Sequence, residues 1–184
     1  MLLDSYPQRI SKLIEKWPTK EISKAAELIH AANLSGLSLY LIGNGGSAAT
    51  ASHFATDLGV GSLNKANPIR AVSLTDNNAV VTASANDFGY EQIFARQIDL
   101  LARKGDVLIA ISASGNSKNL ILGVEKAKEL GCITIGMTAF DGGALRQIVD
   151  LSLHINTNFG EYGPAEDLHA MMSHSITEQI RVLN

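Results

Sequence analysis

Five short, mostly apolar runs are spaced along this 184-residue chain, at residues 37–42, 71–74, 107–111, 132–137 and 151–155. Runs of this length that stop at glycine or polar residues are typical of strands buried on both faces. Segments with helical spacing follow several of them, at 48–58, 119–130 and 165–183. This alternation predicts a parallel sheet covered by helices on both faces.

The residues before the first predicted strand have a helical pattern instead. Apolar residues recur at helical spacing from Ile10 until Pro18 interrupts them, and a second amphipathic run ends near Gly36. The sequence shows no linker and no low-complexity segment, and its length suits one domain. We therefore predict a single domain with an N-terminal helical segment over 1–36 and an α/β core over 37–184.

Composition excludes several classes of protein. A formal net charge of -3 and a pI near 5.9, with no basic run, argue against a nucleic-acid surface. No apolar run approaches the ~20 residues of a membrane span, and the N-terminus does not resemble a signal peptide. The single cysteine, Cys132, lies in an apolar run and is expected to be a buried structural thiol. We expect a cytoplasmic protein with no membrane partner.

Three serines follow the most apolar predicted strand, in the segment 112–117, which we call the serine loop. Ser112, Ser114 and Ser117 offer hydroxyl donors, and Gly115 allows the backbone to approach a ligand closely. The helix that follows adds unpaired backbone N–H groups and a positive dipole end. A phosphate site is the favoured interpretation, and an ordinary strand–helix turn with a serine cap is the alternative.

A second loop, residues 43–47, follows the first predicted strand, and we call it the glycine loop. It does not match the dinucleotide pattern, because Ala48 stands where that pattern needs glycine. It also lacks the Lys-Ser/Thr pair of a P-loop. Both loops fall at the carboxyl ends of parallel strands, where such sheets bind ligands. A second small-ligand loop is therefore the simplest interpretation.

Two histidine–carboxylate pairs fall on predicted helices. His53 and Asp57 are four residues apart, and Glu166 and His174 are eight apart, so each pair shares a helix face. Such a set can bind a divalent metal such as zinc, or can serve as an acid–base group. The alternative is that each histidine is an ordinary surface or capping residue. The sequence alone does not show whether the two helices meet.

Four segments together resemble the phosphoheptose isomerases, which are sedoheptulose 7-phosphate isomerases of the sugar isomerase (SIS) domain superfamily. They are Leu41-Ile42-Gly43-Asn44-Gly45-Gly46-Ser47, His53-Phe54-Ala55, Ala85-Asn86-Asp87-Phe88-Gly89-Tyr90 and Ser112-Ala113-Ser114-Gly115-Asn116-Ser117. The resemblance implies a flavodoxin-like αβα sandwich with a five-stranded parallel sheet. It also implies a homotetramer with active sites at subunit interfaces, and isomerisation of a ketose phosphate through an enediol. The product would enter heptose and surface-glycan synthesis, including lipopolysaccharide.

The resemblance also implies residue roles. The sugar-phosphate ligands would be Asn44, Gly45, Gly46, Ser47, Asn86, Asp87, Ser112, Ala113, Ser114 and Ser117. The zinc ligands would be His53, Asp57, Glu166 and His174. Asp57, Glu166 and His174 would be catalytic: Asp57, or Glu166 if Asp57 is committed to metal, would remove the proton beside the carbonyl. His174 would move protons at the oxygens.

The chain departs from the family pattern at four places. Asp57 replaces the usual glutamate, and Glu166 replaces the usual glutamine. The segment 58–62 lacks an arginine often found there, and 159–164 differs from the usual form. An aspartate is one methylene shorter than a glutamate, so Asp57 would work through altered geometry or serve mainly as a metal ligand. The departures also leave a substrate other than heptose open.

Three rival functions remain. One is a non-catalytic SIS protein that binds a partner, like the paralogue that associates with the bacterial replication initiator. The second is a SIS sensor or an isomerase of another sugar phosphate. A nucleotide-binding oxidoreductase is the third, and the incomplete glycine pattern disfavours it.

Overall fold

A five-stranded parallel sheet forms the centre of the fold in a computed structural model that describes residues 5–62 and 65–183. The strands are β1 (Ser38–Gly43), β2 (Arg70–Ser73), β3 (Val107–Ser112), β4 (Ile133–Thr138) and β5 (Leu151–His154). Their order is β2-β1-β3-β4-β5, and all four adjacent pairs are parallel. The predicted fold class is confirmed, and each predicted strand overlaps an observed one.

Eight α-helices surround the sheet in the described residues. They are α1 (Ser5–Ile14), α2 (Thr19–Leu34), α3 (Gly46–Gly59), α4 (Asn78–Phe88), α5 (Ile93–Leu101), α6 (Lys118–Glu129), α7 (Gly143–Ile148) and α8 (Tyr162–Leu183). Short 3-10 turns occupy Val60–Ser62 and Tyr90–Gln92. None of these helices is long and apolar enough to cross a membrane.

Alternating strand side chains divide the core into two layers. Leu39 and Leu41 of β1 belong to a cluster with apolar side chains of α2, α3 and α8. Tyr40 and Ile42, which point to the opposite face, belong to a second cluster with side chains of α5 and α6. β3 is buried at all six positions, so its apolar run from Val107 to Ile111 follows from helices on both faces.

The strand order places the two binding loops side by side. β1 and β3 are adjacent, and the chain leaves them toward opposite neighbours, to β2 on one side and β4 on the other. Open α/β sheets bind ligands at such a switch point, outside the carboxyl ends of the strands. The glycine loop leaves β1 and the serine loop leaves β3 at this point. Their proximity is therefore a consequence of topology.

Three helices and one helix start were not predicted from the sequence. α4 and α5 fill the interval between β2 and β3, and α7 follows β4. Within the described residues no side chain of α4 is fully buried, and Val81 and Ala85 pack only partly buried against the core, while α7 is six residues long, so both helices give a weak local signal. α8 begins at Tyr162, three residues before the predicted start.

Candidate active site

The glycine loop is shaped by close contacts that exclude side chains. A Cβ on Gly43 would lie 2.5 Å from the carbonyl oxygen of Ser47, and a Cβ on Gly46 would collide with the carboxylate of Glu166. Gly45 has a φ of 54°, in the left-handed region that favours glycine. These constraints let the chain turn sharply from β1 into α3. They also bring Glu166 of α8 to the N-terminus of α3.

Asn44 ties this loop to two other elements. Its side-chain amide exchanges two hydrogen bonds of 2.9 Å with the amide of Asn119, which is 2% exposed in the first turn of α6. The hydroxyl of Tyr90 also donates to Asn44 Oδ1, at 2.9 Å. Neither partner was predicted as a site residue. Tyr90 ends one of the family-like segments, and Asn119 lies two residues after the serine loop. Their nearness to the predicted site segments is the sequence feature that could have identified them.

The serine loop is held by its own polar groups. Ser112 Oγ accepts a hydrogen bond of 3.0 Å from the Gly115 N–H, and Ser114 Oγ accepts one of 3.3 Å from the Asn116 N–H. A hydroxyl that accepts in this way keeps its hydrogen for a ligand. Ser117 precedes α6, and its side chain makes no capping hydrogen bond within the described residues. All three hydroxyls can therefore donate to an anion.

A cavity of ≈ 170 Å³ lies between the two loops and α8. Its lining consists of Asn44, Ser47, Ile111, Ser112, Ala113, Ser114, Ser117, Leu120, Tyr162 and Glu166. Six of the ten predicted sugar-phosphate ligands are thus in one cavity. Four serine hydroxyls and the N-terminus of α6, which Ser117 precedes, suit a phosphate.

Asn86 and Asp87 are not in this lining. Both are exposed on α4, where the Asn86 amide donates to Asp87 Oδ1 at 2.8 Å. α4 continues into the turn that carries Tyr90, so its C-terminal end approaches the glycine loop through the bond to Asn44. A direct contact of Asn86 and Asp87 with the sugar stays a prediction.

Three of the four predicted metal ligands meet between α3 and α8. Asp57 Oδ2 lies 3.5 Å from His53 Nε2 and 3.6 Å from His174 Nε2. The two imidazole rings stand edge to face with centroids 5.1 Å apart. One ligand atom from each residue lies within 4.8 Å of the others. We call this group the His-Asp-His cluster; it is brought together by the packing of α8 on α3.

The donor set of this cluster fits a metal ion. Two imidazole nitrogens and one carboxylate oxygen suit zinc and related divalent metals, and three protein ligands leave a coordination position open for substrate. Glu166 is not part of the cluster, since its carboxylate lies against Gly46. Its Cα precedes that of His174 by eight residues, about 12 Å along the helix. A ligand role for Glu166 stays a prediction.

The remaining titratable candidates are structural. His169 is fully buried, and burial lowers its pKa to about 4, so it stays neutral. His154 shares a hydrogen bond of 3.0 Å with Thr138 Oγ1. Cys132 is 7% exposed, and burial raises the pKa of its thiol to about 11. The prediction of a buried structural thiol is confirmed.

Comparison with known proteins identifies the family. A family model for the SIS domain matches residues 4–139. Phosphoheptose isomerase of Aliarcobacter butzleri is 36% identical over 96% of this chain and 92% of its own length. The chain belongs to the phosphoheptose isomerase family of SIS domain proteins. The corresponding enzyme of Geotalea uraniireducens is 41% identical over 84% of this chain and 81% of its own.

A solved structure supports the same family. The phosphoheptose isomerase from Neisseria gonorrhoeae superposes with a TM-score of 0.86 at 32% sequence identity. The superposition covers 95% of this chain and 92% of that one. The likeness therefore extends over nearly the whole chain.

Proposed function

We propose that this chain is an aldose–ketose isomerase that converts sedoheptulose 7-phosphate to D-glycero-D-manno-heptose 7-phosphate. The observation that carries the proposal is the pairing, in a member of this family, of a serine-lined cavity with the His-Asp-His cluster. Both sites lie along the contact between α3 and α8. The first suits a phosphate and the second suits proton transfer beside a carbonyl.

The separation of the two sites supports an open-chain substrate of several carbons. Glu166 lines the phosphate cavity, and His174 of the cluster lies eight residues further along α8, about 12 Å away. A sugar chain held by its phosphate in the cavity would extend along the helices to present its carbonyl end to the cluster. Binding energy at the phosphate would then orient the reacting carbons.

The proposed reaction moves two protons. Asp57 removes a proton from C1 of the ketose, and His174 delivers a proton to O2, which forms the enediol. The O1 proton then leaves to His174, and Asp57 returns a proton to C2, which gives the aldose. In the cluster without a metal, the geometry favours Asp57 over Glu166 as the base, because Asp57 lies beside His174 and Glu166 is in the serine-lined cavity.

Zinc is the proposed metal of the His-Asp-His cluster. A divalent ion there would polarise the substrate carbonyl and stabilise the developing enediolate charge. His53, Asp57 and His174 would hold it, and their partial exposure gives a substrate access. With a metal bound, Asp57 would be committed to it, and the removal of the proton beside the carbonyl would pass to Glu166. Glu166 would be a fourth ligand only if its side chain turned away from Gly46.

A cytoplasmic homotetramer with active sites at subunit interfaces completes the proposal. Its support is α4, whose side chains are all at least partly exposed in the described part of a single chain. α4 carries Asn86 and Asp87, so contact of α4 with a neighbouring subunit would place these residues beside an active site at the interface. The proposed product is a precursor of heptose-containing surface glycans such as lipopolysaccharide.

Turnover measurements test the proposal. Wild type, Asp57→Asn and His174→Ala are assayed on C5 to C7 ketose phosphates, with added zinc and with chelator. We expect the highest turnover on sedoheptulose 7-phosphate, and at least a ~100-fold lower kcat in either variant. Asp99→Asn is the control, because Asp99 is exposed on α5, away from the cavity and the cluster.

Each rival predicts a different result. Full activity in Asp57→Asn and His174→Ala would reject the proton-transfer roles assigned to Asp57 and His174. A purified protein with neither turnover nor bound metal would favour a non-catalytic, partner-binding SIS protein. Preferred turnover of a shorter ketose phosphate would favour a different substrate, with the same cluster chemistry.

A further inference from the structure

We propose that Tyr162 is a specificity-determining residue whose hydroxyl donates a hydrogen bond to the phosphate monoester of the substrate. The inference rests on the proposed function and adds a ligand that the family-like segments do not contain. Tyr162 is the first residue of α8 and lines the same cavity as the three hydroxyls of the serine loop.

The hydroxyl of Tyr162 is available for a ligand. The chain has four tyrosines, and three of their hydroxyls donate to protein acceptors: Tyr6 to Asp167, Tyr40 to the Leu101 carbonyl and Tyr90 to Asn44. The hydroxyl of Tyr162 makes no hydrogen bond with the residues that the structure describes. The side chain is half-exposed, at 52%, in a cavity lined by further polar groups.

The ring of Tyr162 is held by a strained neighbour. Phe140 meets it edge to face, with centroids 5.1 Å apart and an interplanar angle of 85°. Phe140 is 5% exposed and has a φ of 56°, a left-handed conformation that bulky residues rarely adopt. The N–H of the preceding residue, Ala139, donates to the carbonyl of Ala113 in the serine loop, at 3.0 Å. Strain of this kind persists where surrounding contacts impose it, often at binding sites.

The charge of the cavity explains why a neutral donor is useful. Among the described residues no Lys or Arg lines the cavity, and Glu166 is its charged member. A phosphate dianion beside a carboxylate needs several hydrogen-bond donors on its other sides. A monoester presents three terminal oxygens, each able to accept more than one hydrogen bond, so the four serine hydroxyls of the cavity leave acceptor positions unfilled. A phenol supplies a donor without adding a second acidic group to the cavity.

Enzyme kinetics on Tyr162→Phe test the inference. The variant keeps the ring and its contact with Phe140, and removes the hydroxyl. We expect KM for sedoheptulose 7-phosphate to rise about ten-fold with kcat within two-fold of wild type, because a hydrogen bond to a charged group is lost. Competitive inhibition by inorganic phosphate should weaken by a similar factor. Tyr162→Ala should raise KM and the inhibition constant of inorganic phosphate at least as much.

Phe159→Ala is the matched control. Phe159 is 88% exposed and packs on the same Phe140 ring, with centroids 5.5 Å apart, but it does not line the cavity. Its KM should stay within two-fold of wild type. An unchanged KM and phosphate inhibition constant in Tyr162→Phe would overturn the inference. So would an equal loss in Phe159→Ala, since the effect would then come from the aromatic packing.

The proposed isomerase function and the proposed phosphate contact of Tyr162 can be rejected independently. If the wild type does not turn over sedoheptulose 7-phosphate, the proposed function fails, and calorimetric binding of inorganic phosphate decides the role of Tyr162. Phosphate binding that is weaker in Tyr162→Phe than in the wild type would then retain the phosphate contact. Equal binding by the two proteins, or no binding by the wild type, would reject it.

Discussion

Individual glycines decide how closely the serine loop packs on its neighbour. Gly115 has a φ of 64°, and a Cβ there would collide with the carbonyl oxygen of Gly142. The Leu145 N–H donates to the Gly115 carbonyl at 2.9 Å, and the Ala144 N–H donates to Asn116 Oδ1 at 3.1 Å. The loop after β4 therefore supports the serine loop.

Substitution of Gly115 should disturb this support. We expect Gly115→Ala to lower the free energy of unfolding by about 3 kcal/mol, because it combines a left-handed φ with a steric collision. Inorganic phosphate should also bind more weakly. Gly36→Ala is the control, since Gly36 has a φ of 72° but open space around its Cβ position, and we expect about 1 kcal/mol. If urea denaturation gave the same loss of unfolding free energy for Gly115→Ala and Gly36→Ala, the role of the steric collision would be contradicted.

At the scale of elements, α1 is fastened to the start of α8 beside the cavity. Arg9 Nε lies 3.0 Å from Glu161 Oε1, and Arg9 Nη2 lies 2.6 Å from Glu161 Oε2. The Asn158 N–H also donates to Glu161 at 2.7 Å. These contacts, led by the hydrogen bond from Arg9, lower the pKa of Glu161. Glu161 immediately precedes Tyr162, so the pair helps to define where α8 begins.

Removal of this pair should cost stability at neutral pH. We expect Arg9→Ala to lower the free energy of unfolding by about 1.5 kcal/mol, because two charge-assisted hydrogen bonds are lost. The lowered pKa of Glu161 means that its contribution is present above its unfolded pKa and disappears as pH falls through the folded value. The difference between wild type and variant should therefore shrink in acid.

Lys24→Ala is the control for this prediction. Lys24 and Glu27 form an exposed pair on α2, at 3.3 Å, with more than half of each side chain accessible. We expect less than about 0.5 kcal/mol from its loss. Denaturation curves at pH 7 and pH 3 measure both variants, and a larger effect of Arg9→Ala at pH 3 would contradict the role of the ionised pair.

At the scale of the whole molecule, apolar surface on the α4–α5 side is left uncovered. Phe88 is 51% exposed and Leu100 is 83% exposed, and α4 buries none of its side chains in the described single chain. Helices in globular proteins usually bury one face. The exposed apolar side chains of this region support the proposed self-association.

Light scattering tests that association. We expect a mass of four times the 19.6 kDa chain, and dissociation in Val80→Asp, because a charge would be buried at the contact of α4. Leu34→Asp is the control, since Leu34 is 58% exposed at the end of α2. A wild-type protein of monomer mass would reject the tetramer. A tetramer unchanged by Val80→Asp would reject the role of α4.

Strands and loops were predictable because their sequences carry local signals. β3 is buried at every position and apolar from Val107 to Ile111, while the glycine loop and the serine loop each join a recognisable strand to a helix. His53 and Asp57 share a helix face through their spacing alone. α4 escaped prediction because only Val81 and Ala85 pack against the core, both partly buried, so its apolar stripe is short. Its role depends on surfaces outside the single chain.

The sequence by itself determined the α/β class, the two loops at the strand ends and the residue types of the site. Only the tertiary structure decided which of them meet. Packing of α8 on α3 joins His174 to Asp57, and the same packing leaves Glu166 beside Gly46 in the serine-lined cavity. It also turns Tyr162 into that cavity. The physical reason is that helix spacing fixes positions along one helix, whereas contacts between helices depend on residues far apart in the chain.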